Sequence, residues 1–232
     1  MTRGAKSNPI IVFDLDGTLV DTAPDLIATL NLVLALEGIP AVPFETARAM
    51  IGFGVRPLIE QALREQGRYL GEAGVDALFA EYIRHYQAHI ADQSRPYPGC
   101  EDMLEVLQAQ GFTLAVCTNK YESLSVRLLD ALGLTGYFAA ICGQDTFPIK
   151  KPDPQMLVLT IDKAGGDISQ AVMVGDSNTD VKTARAARVP IVGVDFGYTD
   201  IPMRDLKPDR LISHFAQLPA MVTDMALPAT TR

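Results

Sequence analysis

Short runs of apolar and β-branched residues recur along the chain, and segments with a helical pattern separate most of them. The runs cover residues 10–13, 112–117, 138–142, 171–175 and 190–194. Both faces of each run are apolar, which is typical of strands buried on both sides of a parallel sheet. Between later runs, apolar residues recur at helical spacing, as in Leu124, Leu128 and Leu132. This alternation predicts right-handed βαβ units around a parallel sheet.

The interval between the first two runs is roughly ninety residues long, and its pattern is helical. One apolar stripe ends at Gly38, and a longer one extends from Val75 to Ile90. The sequence RPYPG at residues 95–99 then breaks the pattern. We therefore predict an α/β fold in which a Rossmann-like parallel sheet has helices on both faces and carries an inserted all-helical cap domain. The predicted bounds are 1–21 and 96–232 for the core, and 22–95 for the cap.

The composition narrows the possible functions. With 232 residues, 48% of them hydrophobic, the chain is long enough for a core domain and a smaller second one. Its net charge of −8 argues against a nucleic-acid partner, because nucleic-acid binders usually carry a basic face. We find neither a transmembrane run nor a secretion signal, and we expect a cytoplasmic protein without a membrane partner. An odd number of widely spaced cysteines (Cys100, Cys117 and Cys142) predicts buried, reduced thiols.

Polar side chains follow the predicted strands, at the edge where parallel sheets bind ligands. Asp14 and Asp16 come directly after the first strand, and their alternate positions on an extended backbone point both carboxylates the same way. Two carboxylates this close require a cation or a proton between them. Later strands are followed by Thr118, Asn119, Lys151, Asp176 and Asp180. The whole set suits a divalent metal and a phosphoryl group, and its oxygen ligands favour Mg²⁺.

These stretches carry a family resemblance. The sequences DLDGTLVDT, TNK, KKPDP and GDSNTD resemble the four motifs of the haloacid dehalogenase superfamily, and the helical insertion lies where that family has its cap. The stretches IGFGVRPLIEQAL and VGDSNTDVKTARAARVPIVGVDFGY look like those of members that act on 2-phosphoglycolate. The resemblance implies a magnesium-dependent phosphoric monoester hydrolase whose substrate is a small phosphorylated metabolite.

The resemblance also implies roles for these residues. Asp14 is the expected nucleophile, and Asp16 is expected to protonate the leaving alcohol and then to activate water. Mg²⁺ is expected on Asp14, on the main-chain carbonyl of Asp16 and on Asp176, with Asp180 supporting the metal from outside its ligand shell. The residues expected to bind phosphoryl oxygens are Thr118, Asn119 and Lys151.

The stretch IGFGVRP, residues 51–57, is our candidate for binding the carboxylate of the substrate. Gly52 and Gly54 allow a tight loop whose backbone N–H groups can face an anion. Arg56 follows, and a guanidinium matches a carboxylate in a two-point pair. In related capped enzymes this loop faces the active site. The alternative is that Arg56 only solvates the start of a helix.

The sequence leaves other functions open. A different small phosphomonoester, or pyrophosphate, is an alternative substrate, and a phosphomutase or a catalytically silent binding protein is an alternative class. Asp16 argues against a dehalogenase, because the dehalogenases of the superfamily lack an acid there and carbon–halogen cleavage leaves no oxygen to protonate. His85 and His89 are four residues apart, but a zinc site needs three or four ligands.

Overall fold

The strand that precedes Asp14 lies near the middle of a six-stranded sheet in the computed structural model, which describes residues 8–199 and 201–226. The strands are β1 (Asn8–Phe13), β2 (Val20–Asp21), β3 (Arg95–Pro96), β4 (Thr113–Cys117), β5 (Ala140–Cys142), β6 (Gly166–Gly175), β7 (Ile191–Val194) and β8 (Arg210–Ile212). The order across the large sheet is β5-β4-β1-β6-β7-β8, and all its pairings are parallel. The carboxyl ends of β4, β1 and β6 therefore lie side by side at one edge.

Helices cover both faces of this sheet. The helices of the described residues are α1 (Ala23–Leu36), α2 (Phe44–Arg48), α3 (Val55–Glu65), α4 (Gly71–Ala88), α5 (Cys100–Ala109), α6 (Glu122–Ala131), α7 (Pro154–Lys163), α8 (Asn178–Ala187) and α9 (Leu218–Ala226), and α5 to α9 cover the sheet. Alternate side chains of β1 enter two different cores, as expected for a strand buried on both faces. Ile11 and Phe13 pack in the core that includes α5, α6 and α9. Ile10 and Val12 pack in the opposite core, with α7 and α8.

The helices α1 to α4 form an insert between β2 and β3. β2 and β3 pair as a short antiparallel ribbon, in which Val20 lies opposite Pro96 and Asp21 opposite Arg95. The chain therefore enters the insert and leaves it through this ribbon. Apolar side chains of the insert belong to the same buried cluster as Phe13 of the sheet, so the two parts share a core.

The buried carboxylate of Asp25 joins the two ends of this insert. It accepts hydrogen bonds from the main-chain N–H groups of Gln93 and Ser94 and from the Ser94 hydroxyl. Three donors satisfy a charge that would otherwise be costly to bury. The start of α1 is thereby fixed to the segment that leads into β3.

The predicted α/β fold with a parallel sheet is confirmed, and a strand overlaps each of the five apolar runs. The sequence did not predict β8 or the β2–β3 ribbon, because strands of two or three residues carry no periodicity of their own. The three cysteines are buried free thiols, as predicted. The division into a core and a cap stays a prediction, and the outer ends of the predicted core lie outside the described residues. Within the described residues, none of the helices has the length and hydropathy needed to cross a membrane.

Candidate active site

Asp14 and Asp16 lie where β1 ends and the chain turns. The Asp14 N–H donates to the Val174 carbonyl of the neighbouring β6, and Asp14 Oδ1 accepts the N–H of Leu15. Gly17 continues the turn with a φ of 84°, a conformation that favours glycine. A Cβ atom there would lie 2.9 Å from the ring of Tyr198, so the turn has no room for a side chain.

Asp176 and Asp180 lie at the end of β6 and in the first turn of α8. Ser177 is the N-cap of this helix, and its hydroxyl and N–H donate to Asp180 Oδ2 in a capping box. Asp176 Oδ1 accepts the hydroxyl of Thr18 at 2.9 Å, and Asp176 Oδ2 accepts the N–H of Tyr198 at 2.7 Å. The capping box of α8 therefore fixes the carboxylate of Asp180, and the hydrogen bonds from Thr18 and Tyr198 fix that of Asp176.

Lys151 lies between two of these acids. Its Nζ is 2.9 Å from Asp14 Oδ1 and 2.7 Å from Asp180 Oδ1, and only 2% of the side chain is exposed. Burial alone would lower the pKa of Lys151, but the charges of Asp14 and Asp180 outweigh it and raise the pKa. Lys151 is therefore a permanent cation beside Asp14.

One ammonium does not balance the buried acids. Burial raises the pKa of Asp14 to about 7, against the attraction of Lys151, and burial with the charges of Asp180 and Asp14 raises the pKa of Asp176 to about 8. Oxygens of Asp14, Asp176 and Asp180 lie within 4.8 Å of one another. Within residues 8–199 and 201–226, this is the one group of three or more acidic, histidine or cysteine side chains close enough together to hold a metal ion. A hard divalent cation fits this set, since it is all oxygen and carries excess negative charge.

The segment after β4 faces the same edge. Thr118 Oγ1 accepts the N–H of Lys120, and the Asn119 amide donates to the carbonyls of Gly52 and Lys151. Asn119 thereby connects the insert to the core, and its two amide hydrogens are directed at main-chain oxygens. The ammonium of Lys120 lies 2.9 Å from Asp16 Oδ1, which also accepts the Thr22 hydroxyl at 2.7 Å.

Two cavities adjoin Asp14 and Asp16 on different sides. The first, of about 40 Å³, lies between β4 and the insert and includes Thr118, Lys120 and Tyr86 in its wall. The second, of about 90 Å³, is lined by Asp176, Ser177 and the 51–53 loop. Asp176 thus lies beside the second cavity only, whereas Asp14 and residues of the insert contribute to both cavities.

The structure does not bring Arg56 to this site, which corrects the expectation drawn from the sequence. Arg56 lies at the start of α3, where it pairs with Asp76 and lies near Glu60 and Glu72. It borders a separate depression on the insert, whereas Gly52 and Gly54 line the active-site cavity. The acidic residues of the insert hold the guanidinium away from Asp14.

Sequence reasoning also overlooked functional candidates. Lys120 directly follows Thr118 and Asn119, so its position in the same motif was a usable signal. Tyr86 falls in the apolar stripe from Val75 to Ile90, and periodicity alone does not separate a core tyrosine from one beside a cavity. Tyr198 lies in another part of the sequence, and only the fold brings its N–H to Asp176.

The chain is similar to known proteins over most of its length. The model of the haloacid dehalogenase-like hydrolases matches residues 11–194. The chain belongs to this family. It is therefore an enzyme of the hydrolase class, and the family resemblance seen in the four motifs is confirmed.

Named relatives support the same placement. The chain is 52% identical over 212 residues to a phosphoglycolate phosphatase of Mesorhizobium japonicum, covering 91% of this chain and 93% of that protein. It is 49% identical over 211 residues to a phosphoglycolate phosphatase of Agrobacterium fabrum, covering 91% of each. A solved structure described as a predicted phosphoglycolate phosphatase from Haemophilus somnus superposes with a TM-score of 0.87 at 31% identity, covering 94% of this chain and 99% of that one.

Proposed function

We propose that the chain hydrolyses 2-phosphoglycolate to glycolate and phosphate, with Mg²⁺ and through a phosphoryl group carried on Asp14. One observation carries the proposal: the buried Asp14 carboxylate contacts Lys151 and shares a cluster with Asp176. A carboxylate beside a fixed cation and a metal site is suited to attack phosphorus, because both positive charges offset the charge of the phosphoryl oxygens. The names of the Mesorhizobium japonicum and Agrobacterium fabrum relatives support the substrate.

The metal would be held by Asp14, the main-chain carbonyl of Asp16 and Asp176. When bound, Mg²⁺ neutralises charge on the nucleophile and on the phosphoryl oxygens. Asp180 holds Lys151 with one oxygen and caps α8 with the other, so we assign it a supporting role. Thr118 and Lys151 border the position of the phosphoryl group and donate to its oxygens.

Asp16 is the proposed acid and base. Like Asp14, it borders both cavities. It gives a proton to the leaving alcohol oxygen, and the resulting carboxylate then removes a proton from the water that attacks the phosphorylated Asp14. Lys120 and Thr22 fix its orientation through hydrogen bonds.

The insert, residues 22–95, is proposed to act as a cap over this edge of the sheet. It contributes Gly52 and Tyr86 to the cavity beside Asp16, so a bound substrate would lie under it. The β2–β3 ribbon carries the chain into and out of the insert, and a small rotation there would open and close the cavity. Closure excludes water while the leaving group departs.

Phosphate release tests the proposal. The purified protein is assayed with Mg²⁺ against 2-phosphoglycolate, p-nitrophenyl phosphate and pyrophosphate, with the Asp14→Asn variant as the inactive control. We expect the highest kcat/KM on 2-phosphoglycolate. Release from pyrophosphate alone would refute the substrate, and release from none of the three would favour a silent binding protein.

A further inference from the structure

The hydroxyl of Tyr86 is buried in the insert without a hydrogen-bond partner among the described residues. Tyr86 is one of the residues around the cavity that Asp16 and Lys120 also line. One turn earlier on α4, the hydroxyl of Tyr82 is equally buried but donates to the Leu26 carbonyl at 3.0 Å. A buried hydroxyl with no partner costs free energy, and native proteins usually avoid it. Tyr86 therefore has a donor available for a molecule that enters this cavity.

Lys120 brings a positive charge to the same place. Its ammonium lies 4.7 Å from the centre of the Tyr86 ring and 2.9 Å from Asp16 Oδ1, with 3% of the side chain exposed. An ammonium has three N–H donors, so it can contact Asp16 and still donate to a ligand. The cavity thus offers a hydroxyl and an ammonium on one side.

The size and remaining walls of the cavity restrict what can bind there. Its volume of about 40 Å³ suits a small polar group such as a carboxylate. Leu26, Ile51 and Leu124 form apolar parts of the wall. An anion surrounded by such groups is poorly solvated, and the contact with Lys120 is correspondingly stronger than in water.

The cavity lies on the side where the leaving group must depart. Asp176 and Ser177 line the other cavity, so the proposed metal lies away from Tyr86. Asp16, which protonates the leaving oxygen under the proposed function, adjoins Lys120. The atoms attached to that oxygen therefore extend towards Tyr86 and Lys120.

We propose that Tyr86 and Lys120 bind a carboxylate of the leaving group, so that the site selects phosphomonoesters of small hydroxy acids. The Tyr86 hydroxyl donates to one carboxylate oxygen, and the Lys120 ammonium donates to the other. This inference rests on the proposed function and replaces Arg56 as the group that recognises the acid. Because Tyr86 belongs to the insert and Lys120 to the core, the substrate carboxylate joins the two parts when it binds.

The test compares two substrates that differ in one group. The kcat/KM for 2-phosphoglycolate is divided by that for its carboxamide analogue, which has the same size but no charge. The ratio is measured for the wild type, Tyr86→Phe, Lys120→Met and the control Tyr82→Phe, a buried tyrosine of the same helix whose hydroxyl bonds to the main chain. Unchanged melting temperatures and circular dichroism establish that each variant folds.

We expect the ratio to fall about ten- to hundredfold in Lys120→Met, as for the loss of a hydrogen bond to a charged group, and about threefold or more in Tyr86→Phe, because the amide oxygen of the analogue also accepts the hydroxyl but more weakly. Tyr82→Phe should keep the wild-type ratio. If the wild type prefers 2-phosphoglycolate and both variants show the same ratio of kcat/KM values as the wild type, this inference is overturned. The proposed phosphatase activity would still stand. A wild type that hydrolyses both substrates equally would also overturn it, and a wild type that hydrolyses neither would refute the proposed function as well.

Discussion

The ammonium of Lys151 lies 2.9 Å from the Asp14 carboxylate, and both groups are buried at the end of the sheet. Few surroundings in a protein keep a lysine so fully enclosed unless acids face it from more than one side. Here Asp180 provides the second contact, at 2.7 Å. The arrangement makes Lys151 part of the stability of the site as well as of its chemistry.

Replacing Lys151 with Met should therefore reduce both activity and stability. At pH 8 we expect unfolding to become easier by about 3–5 kcal/mol, because the variant buries acids without their cation. The loss should shrink at pH 5, where the acids can bind protons. Urea unfolding at both pH values measures the effect. Lys182→Met, on an exposed position of α8, is the matched control. If Lys151→Met loses the same stability at both pH values, the cause is not electrostatic.

Replacing Asp14 with Asn should abolish turnover, because an amide does not attack phosphorus. The fold should persist, since Asn has nearly the same volume and its amide can still accept the N–H of Leu15. We expect kcat to fall by orders of magnitude, as for the loss of other covalent nucleophiles. Steady-state phosphate release measures the remaining activity. More than about one per cent of the wild-type rate would argue against Asp14 as the nucleophile.

The Asp16→Asn variant should separate proton transfer from metal binding. Phosphoryl transfer to Asp14 and hydrolysis of the phosphorylated form should both slow, because the same side chain serves both steps. Mg²⁺ affinity should change little, since the proposed contact is the main-chain carbonyl. Calorimetric titration with Mg²⁺ and single-turnover kinetics at saturating metal test the two parts separately. Loss of metal affinity with normal single-turnover rates would assign Asp16 to the metal instead of to the proton.

Features that depend on local sequence patterns were predictable, whereas features that depend on tertiary contacts were not. The strands and helices were predictable because their apolar patterns are local, and Asp14, Asp176 and Lys151 were predictable because they follow strands that end at one edge. Arg56 was misplaced because its direction depends on Asp76, which lies on another helix. The direction of the Tyr86 hydroxyl likewise depends on tertiary packing, which the sequence pattern does not contain.

The metal-free protein should lose stability as the pH rises. In the unfolded chain the carboxyl groups of Asp14 and Asp176 have ordinary pKa values of 3.8, whereas the fold raises them to about 7 and about 8. Between these values the folded protein binds more protons than the unfolded chain, so the free energy of unfolding decreases with pH. The contribution is complete below about pH 4 and is lost as the pH passes through about 7 and 8.

Thermal melts in EDTA between pH 5 and 8.5 measure this slope. Mg²⁺ should raise the melting temperature most at the alkaline end, because a cation that binds only the folded protein stabilises it and competes with protons for the same oxygens. The Asp176→Asn variant, which lacks one of the two acids, should show a shallower slope in EDTA. A metal-free melting temperature that rises from pH 5 to 8.5 would contradict the assignment.

Replacing Gly197 with Ala should weaken metal binding without touching a proposed ligand. The Cβ of an alanine would lie 2.6 Å from Asp176 Cγ, too close for either residue to stay in place. Asp176 is held by Tyr198, whose N–H donates to Oδ2, and by the Thr18 hydroxyl, which donates to Oδ1, so its carboxylate can move only by losing these contacts and its position beside Asp14. We expect the Mg²⁺ concentration for half-maximal activity to increase severalfold or more, with activity partly restored at high Mg²⁺. Gly136→Ala is the matched control, since Gly136 has open space around it and an ordinary φ. If Gly197→Ala keeps the wild-type metal dependence, the loop that carries Tyr198 does not position Asp176, and the order of the metal site must come from Thr18 and the β6 strand alone.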